Sequence, residues 1–215
     1  MDRIMELPCM MKTLASGEEF FRVETIKLKY GNTNSFFIPG GLLVDTGYAG
    51  TLTAFYKALK ANGLRLERIT HVLATHYHPD HCGLIGELQQ HGASLILPES
   101  QKGSVHDPDH IFARDGLRYI PVDESKAERI SFEESRAYLM TLGIAGEIIS
   151  TPSHSADSVS LILDNGDCIV GDLQPREFLD GYESNKALRT DWERIMNCHP
   201  KRILYAHMPE MRIKR

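Results

Sequence analysis

Three histidines and an aspartate crowd into Thr75-His76-Tyr77-His78-Pro79-Asp80-His81, directly after the apolar run 69–74. Imidazoles this close repel one another when protonated and gain nothing from packing, whereas as neutral ligands they suit a metal. The array therefore puts a metal-ligating loop at the end of a predicted strand. In an extended segment, residues two apart point to the same side, so His76 and His78 can reach one ion. Asp80 and His81 lie one short turn further on and are better placed for a second ion. Imidazole nitrogen with carboxylate oxygen suits zinc, and also iron, manganese or cobalt. There is no HExxH helix, so the zincin peptidase pattern is missing.

Around this loop, strand-like and helix-like segments alternate. Residues 20–30 alternate apolar and polar side chains, as a half-buried strand does. Short apolar strands follow at 35–38, 42–45, 69–74 and 94–97. The spacing predicts a helix over 51–62, with Leu52, Phe55 and Leu59 on one face and Gly63 as its stop, and another over 84–91. A helix over 131–143 carries Ser131 and Glu134 as a capping box. In the second half, strands are predicted at 147–150, 158–163, 168–170 and 202–205. The turn Asp164-Asn165-Gly166-Asp167 makes 158–163 and 168–170 a hairpin. A helix over 184–197 takes Ser184 as N-cap. Groups of strands broken by single helices predict an α/β (α+β) fold of sheets covered by helices. Residues 100–145 read as a linker or cap joining two halves of one domain over 1–215.

Composition narrows the function classes. The chain has 215 residues, 24 Lys plus Arg against 29 Asp plus Glu, and a net charge of −5. No basic arm stands out, so nucleic acid is not an expected partner. Cys9, Cys82, Cys168 and Cys198 form no CxxC pair and read as reduced thiols. No signal peptide or transmembrane run is evident. The expectation is a cytoplasmic protein acting on a small molecule away from membranes, and a homodimer is compatible with it.

The pattern HxHxDH after an apolar strand resembles the metallo-β-lactamase superfamily, and the resemblance runs over most of the chain. The family's early aspartate matches Asp45 in LLVDTG. Its later histidine matches His154 in STPSHSADSVSL, its bridging aspartate Asp172 in CIVGDL, and its last histidine His207 in ILYAHMPE. The order is the family's order. One departure follows His207, where Met208-Pro209 stands in place of a frequent glycine.

The resemblance implies a four-layer αβ/βα sandwich, two facing mixed sheets with outer helices. It also implies two divalent cations, zinc foremost, with iron or manganese as alternatives. His76, His78 and His154 would hold one, Asp80, His81 and His207 the other, and Asp172 would bridge them. Asp45 would hydrogen-bond near the motif loop. Asp80 would orient a metal-bridging hydroxide and carry its proton. That chemistry implies a binuclear hydrolase of a small ester, thioester or lactone. The competing readings are a mononuclear iron persulfide dioxygenase, a phosphodiesterase, and a regulatory ligand-binding protein that keeps the metal site. Tyr77 is a candidate substrate contact or packs under the loop, and Tyr182 is a surface-loop aromatic or a substrate contact. His106 and His110 read as a solvated loop, with a substrate contact as the alternative. Cys168 reads as core.

Overall fold

The computed structural model describes residues 24–180 and 185–213. A six-stranded sheet runs in the order β1 (Ile26–Lys29), β2 (Asn34–Ile38), β3 (Leu42–Val44), β4 (His71–Leu73), β5 (Ser94–Pro98) and β6 (Ala127–Ile130). Its first three strands are antiparallel and the rest parallel. A second sheet runs β11 (Met211–Arg212), β10 (Arg202–Tyr205), β9 (Asp167–Gly171), β8 (Val159–Leu163) and β7 (Gly146–Ser150). Only β10 and β9 pair in parallel there.

The period-2 alternation of strands sorts side chains into layers. Phe36 and Ile38, Leu42 and Val44, Leu73 and Ile96 point from the first sheet into one apolar layer. Val159, Leu161, Leu163, Ile169 and Leu204 meet them there from the second. The intervening residues point outward. Phe37, Leu43, Val72, Leu95 and Leu97 pack on α1 (Leu52–Ala61), α3 (Ile85–Gln90) and α4 (Asp109–Arg114). Ile162, Cys168, Val170, Ile203 and Tyr205 pack on α6 (Lys186–Asn197) through Leu188, Trp192 and Ile195. The result is the expected helix–sheet–sheet–helix sandwich, with Cys168 in the core. Each fully buried Leu, Ile, Val or Phe contributes about 1.5–3 kcal/mol.

Local signals placed most elements. Phe55 and Leu59 are the buried face of α1, and Gly63 turns the chain at φ 67°. The 164–167 turn joins β8 to β9 with Gly166 at φ 99°. The helix predicted over 131–143 is α5 (Phe132–Thr141), with both arms of the Ser131–Glu134 capping box formed. Two expectations change. α6 begins at Lys186, where the Asn185 side chain accepts the Leu188 amide, so Asn185 is the N-cap; Ser184 lies outside the described residues. The 100–145 segment supplies α4, β6 at the sheet edge and α5, which packs on β7. Among the described residues no helix is long and apolar enough to cross a membrane.

Candidate metal centre

The site forms where β4, β9 and β10 end and the loop between β7 and β8 turns. After β4 the chain leaves the sheet at Thr75. It bends at Thr75 and His76, is extended at His78 and turns into the four-residue helix α2 (Pro79–Cys82), with Pro79 at its first position. A proline there has no amide to satisfy and is preset to helical φ. This bent stretch brings His76 and His78 together, and the helical turn swings Asp80 and His81 to the neighbouring position. Tyr77, the odd residue of the alternation, points the other way. It is 3% exposed within the first-sheet core, the packed one of its two expected placements. Tyr182 lies outside the described residues.

Two groups of donor atoms result, each lying within 4.8 Å: His76, His78, His154 and Asp172, and beside them Asp80, His81 and His207. In the first, His154 Nε2 is 3.1 Å from His78 Nδ1 and 3.9 Å from Asp172 Oδ2. In the second, His207 Nε2 is 3.0 Å from Asp80 Oδ2 and 3.2 Å from Asp172 Oδ1. His81 Nε2 lies 3.4 Å from Asp172 Oδ1 and 3.7 Å from Asp80 Oδ2. One oxygen of Asp172 thus faces each group. His76 and His81 are buried at the back, while His78, His154 and His207 open to solvent.

Asp45 organises the back wall. It is fully buried at φ 59°, a left-handed conformation uncommon outside glycine. Its carboxylate accepts the Thr75 amide at 2.7 Å, the Thr75 hydroxyl at 2.9 Å and His81 Nδ1–H at 3.0 Å. With the Thr75 hydroxyl proton committed to Asp45, that oxygen accepts His76 Nδ1–H at 3.2 Å. Both buried histidines thus have Nδ1 engaged on this wall and turn Nε2 toward the site. Gly171, at φ 57° just before Asp172, lies so close to Thr75 that a Cβ would collide with its hydroxyl.

Burial and mutual charge pull the cluster's histidines in opposite directions. Burial, then the neighbouring imidazoles of His81, His154 and His78, hold His76 far below the usual histidine range. Burial and the same crowding lower His154, with Asp172 opposing. For His81 burial also acts downward, but the carboxylates of Asp45 and Asp172 outweigh it and push it up to about 10. Burial raises Asp172, and its histidine neighbours, His81 first, bring it below the ordinary value. His76 Nε2, His81 Nε2 and Asp172 Oδ1 are buried without a hydrogen-bond partner. Leaving an atom such as His76 Nε2 unpaired costs about 1–3 kcal/mol, while His81 Nε2 and Asp172 Oδ1 face each other as an ion pair. Three atoms of ligand chemistry turned on one space fit a metal pair.

Several supports carry no motif. Asp157 Oδ2 accepts the Tyr77 amide at 2.7 Å, and Gln101 donates Nε2 to Ala74 O at 2.8 Å. Asp191 Oδ2 accepts the Ser153 amide at 2.8 Å beside His154, and Thr33 donates its hydroxyl to Asp80 Oδ2 at 3.0 Å. Each is a buried polar residue acting on backbone or carboxylate far along the chain, so only its position in the fold gives it a role. His106 takes no part: it pairs with Asp109 at 3.0 Å, half exposed.

Comparison with known proteins agrees with this geometry. A probable metallo-hydrolase of Methanocaldococcus jannaschii is 28% identical over 149 residues, 66% of this chain and 68% of that protein. A hydroxyacylglutathione hydrolase of a Bradyrhizobium species is 30% identical over 122 residues, 56% of this chain but 37% of its own length. Among solved structures, the BLEG-1 B3 metallo-β-lactamase superposes with a TM-score of 0.65 at 18% identity, covering 88% of this chain and 94% of that one. A protein crystallised in a di-iron-bound form gives 0.63 at 20% identity with the same coverage. At such identities these two speak for the fold. The family model of the metallo-β-lactamase superfamily matches residues 28–207. With that match spanning most of its length, the chain belongs to the metallo-β-lactamase superfamily.

Proposed function

We propose that the protein is a cytoplasmic, binuclear metal-dependent hydrolase of a small ester, thioester or lactone. The observation that carries this reading is Asp172, whose two oxygens face two separate donor groups. His76, His78 and His154 would hold one ion, Asp80, His81 and His207 the other, and Asp172 both. Two divalent cations, zinc foremost, supply Lewis acidity for a carbonyl oxygen and acidify water to a nucleophile near neutral pH. The chain's own groups do the rest. Asp45 fixes the tautomer of His81 and, through Thr75, of His76. Asp80, a third exposed, can hold the nucleophile's proton on its carboxylate and return it to the leaving group. The open side at His78, His154 and His207 admits the substrate. Likeness to a hydroxyacylglutathione hydrolase favours a thioester among the three bond types.

The test is metal analysis of the purified protein, followed by a panel of thioesters, lactones, phosphodiesters and β-lactams. About two equivalents of metal per chain with thioester or lactone turnover is the expected result. A single iron that consumes O₂ with a persulfide would overturn it. So would tight ligand binding with no turnover on the panel.

A further inference from the structure

The two donor groups share a centre but not their outer supports. Asp45 and Thr75 reach His76 and His81, one from each group, and Asp172 faces both. Beyond that, the turn between β1 and β2 addresses the second group. Asn32 O accepts His207 Nδ1–H at 3.1 Å, and the Thr33 hydroxyl donates to Asp80 Oδ2 at 3.0 Å. Asn34 donates its side-chain amide to Tyr205 O at 3.0 Å and its backbone amide to Ala206 O at 2.7 Å, on the strand end that carries His207. Thr33 is 2% exposed, so its hydroxyl is held in place rather than solvated.

The first group is fixed by different residues. Asp157, three residues after His154, accepts the amide of Tyr77, the residue between His76 and His78. That bond ties together the two loops that supply this group's histidines. Gln101, fully buried, braces both sides of the junction, donating to Ala74 O at 2.8 Å and to Asp157 O at 3.2 Å. Among the described residues, no hydrogen bond of the 32–34 turn reaches His76, His78 or His154. None from the Asp157 side chain reaches Asp80, His81 or His207.

We propose that Thr33 and Asp157 are positioning residues that act on different metals, Thr33 on the ion of the second group and Asp157 on the ion of the first. This rests on the binuclear reading above. A ligand whose outer partner is removed keeps its donor atom but loses its orientation, and affinity falls about 10- to 100-fold. Because the supports are separate, the loss stays with one ion.

Calorimetric titration of zinc into the full-length apo-protein tests this without relying on turnover. The wild type takes up two equivalents. Thr33→Val keeps one at wild-type affinity and weakens the other about 10- to 100-fold, and Thr33→Ser, which restores the hydroxyl, restores it. Asp157→Ala weakens the opposite equivalent, and Asp157→Asn, whose Oδ1 still accepts the Tyr77 amide, recovers it. Combining Thr33→Val with Asp80→Ala leaves the surviving equivalent untouched, whereas combining it with His154→Ala weakens both. Should Asp157→Ala not fold, the Thr33 arm stands alone, because the selective loss is read between two equivalents of one variant. Wild-type affinity at both equivalents in Thr33→Val, or equal loss at both, overturns the proposal while the binuclear reading survives. A wild type that binds only one equivalent overturns both.

Discussion

Asp45 shows how much one side chain can fix. It occupies an unfavourable backbone conformation and satisfies the Thr75 amide, the Thr75 hydroxyl and His81 Nδ1 from complete burial. Asp45→Ala would strand those donors and leave a β-carbon at φ 59°. We expect a loss of about 3–5 kcal/mol in urea unfolding, together with weaker metal binding. Asp80 is the contrasting case, being a third exposed and on a helical turn. Asp80→Ala should unfold at nearly the same urea concentration and retain the ion of the first group. Its turnover should fall roughly 100-fold or more, measured on whichever substrate the wild type cleaves. Unchanged turnover would exclude a mechanism that uses the second group. At this scale the two donor groups were readable because metal chemistry concentrates rare residue types at short spacing. Asp157 and Gln101 were not readable, since each acts on backbone atoms brought close only by the fold. Asp157 and Tyr77 are 80 positions apart, and Asn32 and His207 175.

At the level of elements, the predicted spans mostly coincide with the observed ones where a local signal exists. The Ser131–Glu134 box, Gly63 and the 164–167 turn each specify their own conformation. What could not be read was the role of short pieces that owe their form to neighbours. α2 is four residues long, and β6 is an edge strand made by pairing with β5. The junction of α3 with the 120–121 segment is of this kind. Gly86 lies against the backbone carbonyls of Ile120 and Pro121, leaving no room for a methyl group. Gly86→Ala should improve helix propensity yet destabilise the protein by about 1–3 kcal/mol, seen as a lower urea midpoint with an unchanged slope.

Over the whole molecule, charge pairing and metal binding act at different places. Arg202 grips Asp167 in a two-pronged pair across β10 and β9, at 2.8 and 2.7 Å. Burial tends to raise the Asp167 carboxyl, but the Arg202 bonds hold it below the ordinary value. A depressed carboxyl stabilises the fold at pH above the unfolded-state value of about 4 and loses that contribution as pH falls through the folded-state value. Asp167→Asn should therefore cost about 2 kcal/mol at pH 7, and the difference from wild type should close below about pH 4 in acid-unfolding curves.

The origin of the seven donor side chains has a mechanical consequence. His76, His78, Asp80 and His81 follow a strand of the first sheet; His154, Asp172 and His207 follow strands of the second. Each group draws from both, so an ion in either would rivet the two sheets along one rim, adding to the hydrogen bonds of Tyr77 to Asp157 and of Asn34 to Ala206 that already cross there. Free metal at a hundred times the dissociation constant would add about 2.7 kcal/mol per site to the resistance to unfolding. A chelator should lower the melting temperature accordingly. Amide exchange should accelerate first at 75–81 and 151–157, while β8 and β9 stay protected. Equal melting with and without chelator would mean that the rivet bears no load. If it does bear load, the cations proposed for catalysis would also keep the two halves of the rim from sliding apart.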